Sequence, residues 1–197
     1  MPVAEKIDRH GRQFMDIPSI LFAQNRMVFI TEPITDALAS DVIQQLLYLA
    51  SVSNEDITMV INSPGGSVTA GLALYDTMQG LSCDVSTVCL GMAASMGAFL
   101  LAAGAKGKRY VSPNSEVMIH QVMGGASGQA VDVQIAAARI GRMKNTLNTL
   151  LSQFTDQPLE RIQLDTDRDC FMSAQEAIQY GMADEIRTTL IQPPFGA

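Results

Sequence analysis

The sequence predicts an α/β fold with covered sheets, and three observations carry that reading. Short β-branched runs alternate with longer stretches of helical period along most of the chain. Hydrophobic residues make up 47% of the 197 residues and charged residues 17%, fewer than the ~25% usual in a soluble domain. The uncharged stretch from Val85 to Ala105 is broken by Gly91, Gly97 and Gly104 into pieces that suit a buried strand, a turn and a buried helix.

The first 25 residues are mixed and weakly periodic, and read as an N-terminal arm. A single domain over residues 26–190 follows, then a tail over 191–197. Met27 to Ile30 is a strand, and a helix from about Asp36 to Ser51 starts at a Thr35 or Asp36 cap. Ile57 to Ile61 is a strand, Asn62-Ser63-Pro64-Gly65-Gly66 a turn, and about Ser67 to Gly80 a helix. Val85 to Leu90 is a strand and Ala93 to Gly104 a helix. Arg109 to Val111 and Glu116 to Ile119 add further strand. From about Ala130 to Phe154 the apolar positions Val133, Ala136, Ile140, Met143, Leu147, Leu150, Leu151 and Phe154 follow a 3.6 period. A helix of that length reaches ~37 Å at 1.5 Å per residue, so it either projects towards a partner or lies across its own domain. Ser173-Ala174-Gln175-Glu176 is a capping box for a last helix ending near Gly181.

Composition excludes several classes. A net charge of -7 repels a phosphate backbone, so nucleic acid is a poor partner. Cys83, Cys89 and Cys170 form no C-x-x-C pair and read as core residues in a reducing compartment, and no metal-ligand spacing occurs. Glu5, Lys6, Asp8, Arg9 and Arg12 make the start too polar for a secretory signal, which predicts a cytoplasmic protein. The low charge content predicts that much of the surface is covered in an oligomer.

The chemistry gathers at a few places. His10 lies in the polar leader, whereas His120 ends a strand-like run and precedes a glycine-rich loop, where catalytic side chains are often presented. Ser95, in Gly91-Met92-Ala93-Ala94-Ser95-Met96-Gly97, stands where a strand gives way to a helix, beside free backbone amides. The logic is that of a nucleophile elbow. Small residues and serine are equally common where a helix packs tightly. The Asn62 to Ser67 turn could present its amides to a phosphate or an oxyanion, and with no lysine of a phosphate-binding loop the oxyanion fits better. Asp165, Asp167 and Asp169 each could orient a histidine or merely solvate a loop.

Five segments in order, INSPGGSVTAG at 61–71, GMAASMGAFLLAAGAKGKR at 91–109, MIHQ at 118–121, GGASGQAVD at 124–132 and DTDRDCFMSAQEA at 165–177, resemble the proteolytic subunit of the Clp protease. The resemblance runs from about Asp16 to Ile186. It implies a crotonase-like fold of repeated ββα units, with the 130–154 helix as a projecting handle between two stacked heptameric rings. It implies Ser95 as nucleophile, His120 as base and then acid, and Asp169 as the orienting carboxylate, with Arg168 in ring contacts. Gly66 and Met96 amides would form the oxyanion hole. Ser67 and Val68 on one edge, and Met123, Gly124 and Gly125 on the other, would bind an extended substrate. Unfolded chains would be fed in by a hexameric Clp ATPase, which alone uses ATP. The chain itself would need no cofactor and no metal.

The sequence departs from the family pattern at Val122, where a proline is usual, and in the leader at Pro18 and Ile20. At positions where the family places aromatic residues for ATPase docking it has Thr58, Val60 and Gly80, keeping only Tyr110. These changes predict weak docking and open a second reading, a mainly architectural subunit that works beside a related subunit type. A third, an acyl-CoA enzyme of the wider crotonase fold, would not need a serine paired with His120.

Overall fold

A computed structural model describes residues 3–8 and 11–190; His10 and the tail over 191–197 lie outside the described residues. Strands β1 (Val3–Asp8) and β2 (Gly11–Asp16) pair as an antiparallel hairpin, and α1 (Ile17–Asn25) follows. The sequence alone gave these elements no pattern. Asp16 caps α1 by accepting from the Ser19 amide at 2.8 Å, and Phe22 stacks on Tyr48.

The body is built on parallel strands: β3 (Met27–Ile30), β4 (Ile57–Ser63), β5 (Val85–Ala94), β6 (Arg109–Val111) and β9 (Glu185–Ile186) lie in that order. Helices α2 (Asp36–Val52), α3 (Val68–Gly80) and α4 (Met96–Ala102) connect or cover them. Thr35 and Ser67 are the side-chain N-caps of α2 and α3. The core joins Val28, Ile30, Leu46, Met59, Ile61, Leu74, Leu100 and Leu101, all fully buried, across sheet and helices.

Strand β5 determines the architecture around the site. Its first half pairs with β6 through Thr87 to Cys89, and its second half pairs with β7 (Glu116–Ile119) through Met92 to Ala94. The expected strand stopped at Leu90, before Gly91. It continues instead through an irregularity, where the register against β4 shifts between Ile61 and Ser63 and the Met92 amide donates to Asn62 Oδ1 at 3.3 Å. The helix expected from Ala93 accordingly starts at Met96. The uncharged stretch thus becomes a buried strand and a buried helix, and among the described residues no helix is long and apolar enough to cross a membrane.

Helix α5 (Ala130–Thr155) is the predicted long helix. Its C-terminal half packs through Asn148, Leu151 and Thr155, while Val131, Val133 and Ile135 in its first half are exposed. Helix α6 (Leu159–Asp165), strand β8 (Cys170–Ser173), antiparallel to β7, and helix α7 (Ala174–Tyr180) complete the chain before β9. The capping box forms as read, with the Ser173 amide and hydroxyl donating to Glu176 and the Glu176 amide returning to Ser173. Gly181 ends α7 in the left-handed region.

Candidate active site

Ser95 occupies the single residue between β5 and α4. Its backbone lies at φ 54° and ψ -119°, a strained conformation for a residue with a Cβ. Three contacts hold it there. The Ser95 amide donates to the Met118 carbonyl at 2.8 Å, the Phe99 amide donates to the Ser95 carbonyl at 3.0 Å, and Gly65 lies against Ala94 and Ser95. A Cβ on Gly65 would fall 2.6 Å from the Ser95 Cβ and 2.7 Å from the Ala94 carbonyl oxygen, and Gly65 itself has φ +93°. The second glycine of the turn serves a different neighbour: a Cβ on Gly66 would meet the Ile34 carbonyl oxygen at 2.3 Å. Both glycines are therefore required by close approach.

His120 follows β7 directly. Its Nε2 lies 2.9 Å from Ser95 Oγ and its Nδ1 lies 3.0 Å from Asp169 Oδ1. A carboxylate only accepts, so Nδ1 carries the proton and the bare Nε2 accepts from the serine hydroxyl. The imidazole side chain is 12% exposed and the Asp169 side chain 59%.

The three candidate carboxylates separate cleanly. Asp165 ends α6, pairs with Arg161 and accepts from the Tyr180 hydroxyl at 2.9 Å. Asp167 is exposed and offers its backbone carbonyl, not its carboxylate, to the Gln121 side chain at 3.0 Å. Only Asp169 meets His120, because it immediately precedes β8, whose Cys170 is paired with Ile119. Arg168 is exposed, and its guanidinium donates to the Asp167 carbonyl at 3.3 Å.

A pocket of about 140 Å³ opens beside Ser95, lined by Gly66, Val68, Met96, Phe99 and His120 among others. Met96 is the first residue of α4, so its amide has no carbonyl one turn earlier in the helix to bond, and Met96 and Gly66 both line this pocket. Ser67 is committed to capping, its Oγ accepting from the Ala70 amide at 3.3 Å. Residues 121–127, which include Met123, Gly124 and Gly125, carry no regular secondary structure, and Met123 is 77% exposed. The segment expected to form the second edge is thus a loop in the single subunit, not a strand. Helix α5 supplies the remaining wall through Leu147, Asn148 and Leu151.

Sequence reasoning missed Asn148, Gln121 and Lys144. Gln121 bridges elements: Lys144 Nζ on α5 donates to its Oε1 at 3.4 Å while its Nε2 holds the Asp167 carbonyl. The signal for Asn148 was present, a polar residue on the same face as Leu147 and Leu151. Burial pushes the Cys89 thiol up to about 11 and also raises Cys170, which disfavours their reactive thiolate forms. Among the described residues no cluster of side chains fits a metal ion.

A serine on a strained strand-to-helix turn, bonded to a histidine that is bonded in turn to an aspartate, is the arrangement found in serine hydrolases. The family model described as Clp protease matches residues 9–189, and the chain belongs to that family. It is accordingly a proteolytic subunit of the Clp type, a hydrolase of peptide bonds.

Proposed function

We propose that Ser95, His120 and Asp169 form the working triad of a serine endopeptidase. The observation that carries this reading is the pair of hydrogen bonds, 2.9 Å and 3.0 Å, that His120 makes to Ser95 and Asp169. Ser95 Oγ adds to the scissile carbonyl as its proton passes to His120 Nε2, and the imidazolium is stabilised by Asp169. The Gly66 and Met96 amides hold the oxyanion, each donor lowering the barrier by ~3 to 4 kcal/mol. Collapse of the tetrahedral species breaks the C–N bond, and His120 gives its proton to the leaving amine. Water then adds to the acyl-serine with His120 again taking a proton, and the carboxylic product leaves with Ser95 restored. Every proton in this sequence is carried by this chain's own groups, so the cycle needs no cofactor and no metal.

Extended substrate lies between the Ser67-Val68 edge and the Met123-Gly124-Gly125 loop, which takes up strand pairing when the chain arrives. The exposed Val131, Val133 and Ile135 of α5 support a handle buried between two heptameric rings, with Arg168 at the ring contact. A hexameric Clp ATPase spends the ATP and delivers unfolded cytoplasmic protein into the chamber. At the expected docking positions the departing Val60 is buried, and the retained aromatic Tyr110 is covered by the Arg187 guanidinium, 3.2 Å from its ring centre. That favours weak docking by this subunit and rings shared with a related subunit type.

The test is hydrolysis of short peptides by purified protein whose particle mass is measured alongside. Wild type should assemble to fourteen copies and cleave, and Ser95→Ala should assemble equally and not cleave. Equal cleavage by both would overturn the reading. Full ATPase-dependent degradation by this subunit alone would overturn weak docking.

A further inference from the structure

The sulfur atoms of this chain differ sharply in access. Of its twelve methionines, Met123 is the one that stands exposed among the described residues, at 77%. Met96, which lines the same pocket beside Ser95, is 2% exposed, and Met118, two residues before His120, is buried. The thiols are harder to reach than Met123: Cys83 and Cys89 are buried and Cys170 is half-buried. Burial also holds Cys170 in its less reactive thiol form. Oxidation at sulfur follows exposure, so a peroxide meets Met123 first.

Met123 also stands where the chemistry depends on it. It lines the pocket with Val68, Leu147 and Leu151, and it belongs to the loop read above as the second substrate edge. The amides of Val122, Met123, Gly124 and Gly125 have no backbone partner among the described residues, which leaves them free to pair with an incoming extended chain. A thioether is apolar and a weak acceptor, so it leaves those amides to the substrate. A sulfoxide carries a strongly polar oxygen that competes for the same amides and must be stripped of water when substrate covers it.

We propose that Met123 is a redox modification site, oxidised to the sulfoxide by a peroxide, and that the modification weakens substrate binding at Ser95. One oxygen atom passes from hydrogen peroxide to the sulfur: the O–O bond breaks, an S–O bond forms, the sulfur loses two electrons and water leaves. Methionine sulfoxide reductases reverse the step, a dithiol becoming a disulfide as the oxygen departs as water. The inference rests on the triad and substrate edges given above.

The test treats the purified protein with limiting hydrogen peroxide, maps its methionines and cysteines by mass, and follows peptide hydrolysis and fluorophosphonate labelling on the same samples. Met123 should gain its oxygen before any other described methionine. KM for a short peptide should then rise about fivefold or more with kcat nearly unchanged, while Ser95 labelling by the fluorophosphonate, which has no strand to pair with the loop, stays within about twofold. The two reductases together should restore KM, since each acts on one epimer, and dithiothreitol alone should not, which separates the sulfoxide from a reversibly oxidised Cys170. Met123→Leu, compared with its own untreated sample, should hold its KM under the same treatment. Oxidation of other methionines ahead of Met123, complete oxidation of Met123 with KM unmoved, or an equal rise in the variant would overturn this inference alone. Untreated protein that takes no fluorophosphonate label would overturn the triad reading and this inference with it. The wild-type map and kinetics decide the matter even if the variant does not fold.

Discussion

The Ser95 amide donates to the Met118 carbonyl at 2.8 Å, which ties the Ser95 turn to the strand that ends at Ile119, directly before His120. The same strand pairs its Ile119 with Cys170, the neighbour of Asp169. All three polar groups of the site thus hang from one short strand, β7, and their alignment follows from sheet register.

Gly65 packs under that turn. Gly65→Ala should place a Cβ at φ +93° only 2.6 Å from the Ser95 Cβ, which is fixed to the backbone, and 2.7 Å from the backbone oxygen of Ala94, so neither neighbour can swing away. Destabilisation of about 2 kcal/mol or more is expected, with Ser95 labelling slowed at least tenfold. Gly80→Ala is the control, because nothing lies within 4 Å of its added Cβ and its φ is ordinary. It should leave labelling intact and raise stability by about 0.5 kcal/mol. Thermal unfolding and labelling rates check both.

Gln121 holds the loop that leads to Asp169 through the Asp167 carbonyl. Removing its amide in Gln121→Leu frees the Asp167 carbonyl and cuts the link to Lys144 on α5. A fall in kcat of about tenfold with KM nearly unchanged is expected, and Gln121→Glu should not restore it, since a carboxylate cannot donate to the carbonyl. Steady-state kinetics on a short peptide separates this from a loss of binding.

Arg109 and Asp184 fasten the base of α5 to the sheet. The guanidinium, 4% exposed, bonds Asp184 at 2.6 Å and the carbonyls of Ala102, Phe154 and Gly181. Burial alone would raise the Asp184 carboxyl, but the Arg109 side chain and amide outweigh it and hold the carboxyl below its usual 3.8. A depressed native value means stability that is present above the unfolded pKa and is lost as pH falls through the native one. Asp184→Asn should therefore cost about 2 kcal/mol near pH 7, and the gap to wild type should narrow only below about pH 4. Denaturant unfolding across pH measures it.

The alternation of strand and helix was legible because each long element satisfies its own period and caps: α2, α3, α5 and the Ser173 box lie within a residue or two of expectation. What could not be read was short and formed by tertiary pairing. Helix α6 is seven residues long with no side-chain cap, and β9 has two residues that exist as strand only beside β6. At the site, Ser95 and His120 were visible from small residues and a strand end. The residue alone left Asp165, Asp167 and Asp169 equivalent, and resemblance to the family singled out Asp169. Its approach to His120 depends on β7–β8 register, which no local pattern encodes. Asn148 was legible as a polar residue on the face of Leu147 and Leu151, but its unpartnered Nδ2 is a property of packing.

The most direct test is a fluorophosphonate reaction on the purified protein, read by intact mass and peptide mapping with Ser95→Ala alongside. One adduct per chain on Ser95, absent from the variant, is the predicted result. An unlabelled wild type, or equal label on both proteins, would contradict the claim that Ser95, His120 and Asp169 form the working triad of this chain.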